Sequence, residues 1–103
     1  MRAALACIIA LGFAEPAADA QVRNFFSPEV QGARIDACLA SGACGKAAAD
    51  AFCQVQGYDR AMIFQRETFT ATTAIDSGES CSGTCTAFRQ VKCFTTKSDD
   101  AGL

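Results

Sequence analysis

Six cysteines, Cys38, Cys44, Cys53, Cys81, Cys85 and Cys93, sit in the last four fifths of a 103-residue chain that contains no histidine. An even set of this kind in an exported chain is a disulfide framework, and six cysteines allow 15 pairings. A zinc site is the competing use, but it would have to do without imidazole ligands and in an oxidising compartment. Among the pairings, Cys53 with Cys93 is preferred because it would tie the only clear helix to the last strand. A domain this small buries a limited core, so crosslinks that restrict the unfolded chain carry much of its stability.

Export is read from residues 1–20. Arg2 supplies a positive start, Ala3 to Ala14 is small and apolar, and Ala18-Asp19-Ala20 is a signal-peptidase type site. The apolar run is too short for a permanent membrane span. Cys7, the seventh cysteine, has only six residues before it, which leaves no apolar segment for a lipoprotein reading. Domain organisation follows: 1–20 signal peptide, 21–94 a single disulfide-rich domain, 95–103 a polar tail. The location expected is secreted or periplasmic. After residue 20 there are eight basic and nine acidic residues. Such a balance gives no polybasic field for nucleic acid, and no later segment is apolar enough to cross a membrane.

The strongest local signal is Gly45 to Gln56, where four alanines lie among residues 47–51 and nothing breaks a helix before Gly57. Ala48, Phe52 and Val55 share one face with Ala49 and Cys53 beside them, so that face is expected to be buried. Gly57 stands where a left-handed residue ends a helix, and Tyr58 is placed to pack back on Phe52 or Cys53. Asp50 and Lys46 form an i, i+4 pair in the weaker order, expected at the surface.

Around this helix, Gln21 to Ser27 reads as a short strand or apolar arm. Ser27-Pro28-Glu29 has the chemistry of a helix start, limited by Gly32 to a single turn. Arg34 to Leu39 reads as extended or irregular. Arg60 to Phe69 reads as a strand with Met62 and Phe64 on one face and Ala61 and Ile63 on the other. Thr68 to Ile75 suits a strand or hairpin arm, turned by Asp76-Ser77-Gly78. Ser82-Gly83-Thr84 reads as a tight turn. Phe88 to Phe94 reads as the last strand, with Val91 and Cys93 opposite Gln90, Lys92 and Phe94.

Without histidine, Ser-His-Asp and Cys-His catalysis are unavailable. Cys81-Ser82-Gly83-Thr84-Cys85 has three residues between its cysteines and lacks the surroundings of a thioredoxin-like pair. Carboxylates alone can hydrolyse glycosides, and Asp36, Asp50, Asp59, Glu67, Asp76 and Glu79 are candidates by type, but no spacing selects two of them. Asp76 to Glu79 lacks the ligand spacing of a calcium loop. No catalytic, metal-binding or cofactor-binding residue is assigned. Arg60, Arg66, Arg89 and Lys92 would gather into a small basic surface for an acidic glycan or protein if their strands are neighbours. Phe26, Phe69 and Phe94 are expected in the core, the alternative being an exposed recognition surface.

Cys44-Gly45-Lys46-Ala47-Ala48-Ala49-Asp50-Ala51-Phe52-Cys53, then Gly57-Tyr58 and Ala61, resembles a group of small secreted six-cysteine proteins of bacteria and plants. Gly78 to Cys81, Cys85 to Phe88 and Cys93 match the second half of that pattern, so the resemblance covers Ile35 to Phe94. It implies an exported disulfide domain and no particular activity. A weaker resemblance, in Ala51 to Tyr58, is to scavenger receptor cysteine-rich domains, which implies a sheet cradling one helix and extracellular ligand binding. The expected fold is α+β: a helix over Lys46 to Gln56 packed on an antiparallel sheet of three to five strands, stapled by three disulfides. The expected function is a non-catalytic, monomeric binding or structural module. The alternative is a small secreted enzyme or inhibitor using carboxylates or a bridged loop.

Overall fold

The computed structural model describes residues 21–96. The signal peptide read over 1–20 and residues 97–103 of the tail lie outside the described residues. Strand β1 (Gln21–Phe26) is followed by a miniature hairpin of β2 (Glu29–Val30) and β3 (Ala33–Arg34), then by helix α1 (Lys46–Val55) and two long strands, β4 (Arg60–Thr73) and β5 (Ser80–Thr95). The main sheet has the order β1-β5-β4 and is antiparallel throughout. One helix, antiparallel strands and three bridges make up the α+β composition expected, with the sheet outweighing the helix. Among the described residues no helix is long and apolar enough to cross a membrane.

Helix α1 forms where the alanines are and stops where Gly57 adopts φ 94°. The Tyr58 N–H donates to the Cys53 carbonyl at 2.8 Å and the Gly57 N–H to that of Gln54 at 3.0 Å. These are the paired bonds of a Schellman cap, which satisfy carbonyls the helix itself leaves open. Ala48, Ala49, Phe52 and Cys53 are buried, and the helix lies on β4 and β5. Val55 departs from expectation: at the edge of that stripe and in the last turn, it is 60% exposed.

Cys53 is bridged to Cys93 on β5, with Cα atoms 5.4 Å apart, so the helix is tied to the central strand as preferred from the sequence. The other bridges are local, Cys38 to Cys44 and Cys81 to Cys85. Around the Cys53–Cys93 bridge lies a core of Ile35, Ala37, Ala48, Phe52, Phe88 and Val91, with Phe25, Phe64 and Tyr58 packed on it. Phe25 meets Phe52 edge to face at 5.0 Å, and Phe64 meets Phe88 at 5.6 Å, geometries that suit the ring quadrupoles.

Asp50 does more than pair with Lys46. Its Oδ2 accepts from Lys46 Nζ at 2.7 Å, while its Oδ1 accepts the Ala61 N–H at 2.8 Å, tying the helix to the start of β4. Losing the second bond leaves a partly buried backbone donor unpaired. Asp50→Ala is therefore expected to cost about 1–2 kcal/mol, and Lys46→Ala, which removes only an exposed ion pair, below about 0.5 kcal/mol. Urea unfolding of the two variants checks the difference.

Several expectations are corrected. Ser27-Pro28-Glu29 starts no helix: Glu29 enters β2, and Gln31 and Gly32, both at positive φ, make the two-residue turn to β3. Ser82-Gly83-Thr84 is no turn but part of β5, where Ser82 pairs with Ala71 and a register shift accommodates the extra residue. The two strands read over Arg60 to Ile75 fuse into β4, and Thr95, read as tail, is buried in β5 opposite Gln21.

The largest correction concerns side-chain direction in β4. Ala61 pairs with Cys93 but Ile63 with Lys92, so Met62 is an extra residue. This bulge resets the alternation: Ala61 and Phe64 both face the core, and Met62 and Ile63 are about half exposed.

Candidate ligand surface

Directly paired residues in an antiparallel ladder share a face. The rows Arg23–Cys93–Ala61 and Phe25–Val91–Phe64 lie on the helix side, where Ala61, Val91 and Cys93 are buried. The alternate rows therefore form the opposite, outer face: Val22–Phe94–Arg60, Asn24–Lys92–Ile63 and Phe26–Gln90–Gln65.

None of the described elements covers these rows, and the exposures agree: Phe26 is 70% exposed, Val22 and Ile63 50%, Met62 48%. Arg60 lays its guanidinium 4.6 Å above the centre of the Phe94 ring, a cation–π contact that holds both side chains on the surface. Gln90 Nε2 donates to Asn24 Oδ1 at 2.7 Å, fixing the polar centre of the face. The three rows contain two cations and no carboxylate.

Of the four basic residues singled out from the sequence, Arg60 and Lys92 share this face in adjacent rows, since β4 and β5 are neighbours. Arg66 pairs with the buried Phe88 and reaches toward Phe64 at 6.0 Å, which places it on the helix side. Arg89 is exposed at the register shift between Gln90 and Phe88. The core expected for the phenylalanines is corrected: Phe26 and Phe69 are exposed and Phe94 is half-buried on the outer face. Val22, Met62 and Ile63 escaped the sequence reading. For Met62 and Ile63 the reason is the bulge, which has no signature in the residues themselves.

A second region forms where β4 and β5 run past the helix. Thr73 stands six residues along β4 from Glu67, the partner of Ala87, yet Ile35 bridges to Thr73 and Asp36 to Ala87. The far end of the hairpin therefore curls back over residues 35–37. A cleft of about 470 Å³ opens there between the β2–β3 hairpin and the strands, with Glu29, Arg34, Phe69 and Ser82 on its wall. Arg34 is a positioning cation in this wall. Its Nη2 donates to Glu67 Oε2 at 2.6 Å and to the Phe88 carbonyl at 2.8 Å, and its guanidinium stacks on Phe69 at 4.3 Å. Its Nε is buried with no partner.

Two carboxylates, Asp36 and Glu79, line a smaller cleft of about 240 Å³ on the same side. Asp36 is already engaged: Oδ1 accepts the Cys38 N–H at 2.8 Å and Oδ2 accepts the Thr72 hydroxyl. The hairpin tip between β4 and β5 packs back on the body. Ala74 is buried, Ile75 rests on the core, and Asp76 Oδ1 accepts the Ala40 N–H at 2.9 Å. Compared with family models, curated proteins and solved structures, the chain gives no match to any of them.

Proposed function

We propose that the protein is an exported, non-catalytic binding or structural module that presents the outer face of its sheet to a ligand carrying acidic groups, a protein or a glycan. Export is supported by the leader pattern in residues 1–20 and by three bridges, which persist in oxidising compartments. One observation carries the binding reading: a sheet face left uncovered by the described elements, with Val22, Phe26 and Ile63 half exposed or more beside Arg60 and Lys92 and no carboxylate. Aromatic and Arg side chains next to aliphatic ones, without acidic residues, are the composition of a recognition surface.

Two probes test this, polygalacturonate as an acidic glycan and poly-glutamate as an acidic polypeptide. Titration of either into labelled protein is expected to shift the amide signals of Asn24, Arg60, Lys92 and Phe94. Arg60→Glu with Lys92→Glu should weaken the interaction at least tenfold, roughly the effect of 1.4 kcal/mol, with the unfolding midpoint nearly unchanged. Shifts confined to Arg66 and Arg89, or none with either probe, would overturn the assignment.

A second reading, a small secreted enzyme using carboxylates, draws on the joint placement of Asp36 and Glu79 in one cleft. The two hydrogen bonds that occupy Asp36 weigh against it. An inhibitor with a projecting loop draws no such support, because the tip of the long hairpin is packed down.

A further inference from the structure

We propose that β1 is an interface edge, on which a second copy of this chain adds its own β1 antiparallel, joining two three-stranded sheets into one of six strands. The two edges of the main sheet are built differently. On β4 the pairing shifts register at three places, Asp50 takes the Ala61 N–H, and Ile35 bridges to Thr73. Bulges and caps of this kind blunt an edge against further pairing. On β1 six consecutive residues pair with β5 without a shift, and the strand contains no proline and no carboxylate. Among the described residues no strand lies on its other side.

The backbone directions follow from one bond. The Ser27 N–H donates to the Arg89 carbonyl at 2.9 Å, so Ser27 and, by alternation, Phe25, Arg23 and Gln21 direct their backbone groups to β5. Val22, Asn24 and Phe26 therefore direct theirs to the open edge.

These residues fit a two-fold arrangement centred on Asn24. Val22 then faces the second copy's Phe26, Asn24 faces the second copy's Asn24, and Phe26 faces the second copy's Val22. Each pair exchanges two backbone hydrogen bonds. Arg23 falls opposite the second copy's Phe25, so no like charges meet. The neighbouring registers are worse. Centring on Arg23 sets two arginines against each other. Centring on Phe25 sets Val22 against Pro28, which has no N–H.

The same register keeps faces matched, because residues with an even sum of positions lie on the same side in both copies. It brings together the two exposed apolar side chains on the strand's outer face, Phe26 at 70% and Val22 at 50%. The Asn24 amide NH₂ group, whose Oδ1 already accepts from Gln90, is available to its counterpart. Helix α1 rests chiefly on β4 and β5 and meets β1 through Phe52 on the Phe25 ring, on the inner face, so that among the described residues no strand occupies the outward backbone edge of β1. Two outer faces become one surface with two Arg60 and two Lys92, an inference independent of whether that surface binds an acidic ligand.

So small an interface implies dissociation in the micromolar range or weaker, roughly −8 kcal/mol or less in magnitude. Sedimentation of the exported protein from about 1 µM to about 1 mM spans that range and should show the mass rising from one chain toward two. Asn24→Pro removes an outward N–H and no backbone bond to β5, giving up there only the exposed side-chain bond from Gln90, so it is expected to abolish the rise while leaving the circular dichroism of the fold in place. Phe26→Lys, which sets a charge against Val22, should do the same and decides the matter if the proline variant fails to fold. A one-chain mass at every concentration, or a dimer that survives Phe26→Lys, would overturn the proposal.

Discussion

Replacing Cys53 and Cys93 together by alanine is expected to lower the unfolding free energy by about 4 kcal/mol, and replacing Cys81 and Cys85 together by about 2 kcal/mol. The first bridge closes 40 residues and the second four. In the chain-entropy description a crosslink acts mainly on the unfolded state, which loses more freedom the longer the loop it closes. The native contacts add to the difference. Cys53 and Cys93 are both fully buried and join the helix to the central strand, whereas the Cys81–Cys85 bridge spans a single stretch of β5 whose first cysteine is half-buried. A chain of this size has a total stability of roughly 5 kcal/mol. Loss of the Cys53–Cys93 bridge should therefore leave only about 1 kcal/mol, with on the order of a sixth of the molecules unfolded at 25 °C and a urea transition that begins without a native baseline. Equal destabilisation by the two double substitutions would mean that the helix is held by packing alone and not by this bridge.

That hierarchy was legible in the cysteine positions, because a helix ending in Cys53 and a strand containing Cys93 are each recognisable from local residues. Alanine propensity and the Gly57 stop act within one turn of chain, so nothing distant was needed to place α1. Less was legible in β4. Whether Ile63 faces the core or solvent depends on Met62 being passed over in the pairing with β5, which is decided by the partner strand and by Asp50 holding the Ala61 N–H. The same holds for the ligand surface. Arg60 and Lys92 were marked by their charge, but separating them from Arg66 required the first register shift, at Met62, which puts Arg60 and Arg66, six positions apart on β4, on opposite faces. Ser27-Pro28-Glu29 misled for a different reason: its helix-start chemistry has no following segment to propagate, and the positive φ values of Gln31 and Gly32 close a hairpin instead.

Phe88→Ala is expected to cost about 3–5 kcal/mol, while Phe26→Ala, measured dilute enough to keep the chain monomeric, should cost below about 0.5 kcal/mol. Both residues are phenylalanines in strands of the same sheet, so the contrast isolates the face. Phe88 is fully buried on the central strand and meets the Phe64 ring at 5.6 Å. Phe64 in turn supports the start of the helix, where a side chain at Gly45 would come within 3.4 Å of its ring. Truncating Phe88 thus opens a cavity between sheet and helix that neither neighbour fills easily, since β5 is held by strands on both sides and the helix by Cys53. The Arg34 guanidinium, bonded to the Phe88 carbonyl and buried beside it, adds a polar group that loses support if that backbone shifts. Phe26 leaves nothing behind when truncated, because 70% of it already faces solvent. Thermal and urea unfolding of the two variants measure the ratio. If their costs were alike, the sheet would not have one packed and one open face, and the ligand surface and the β1 edge would lose their common basis.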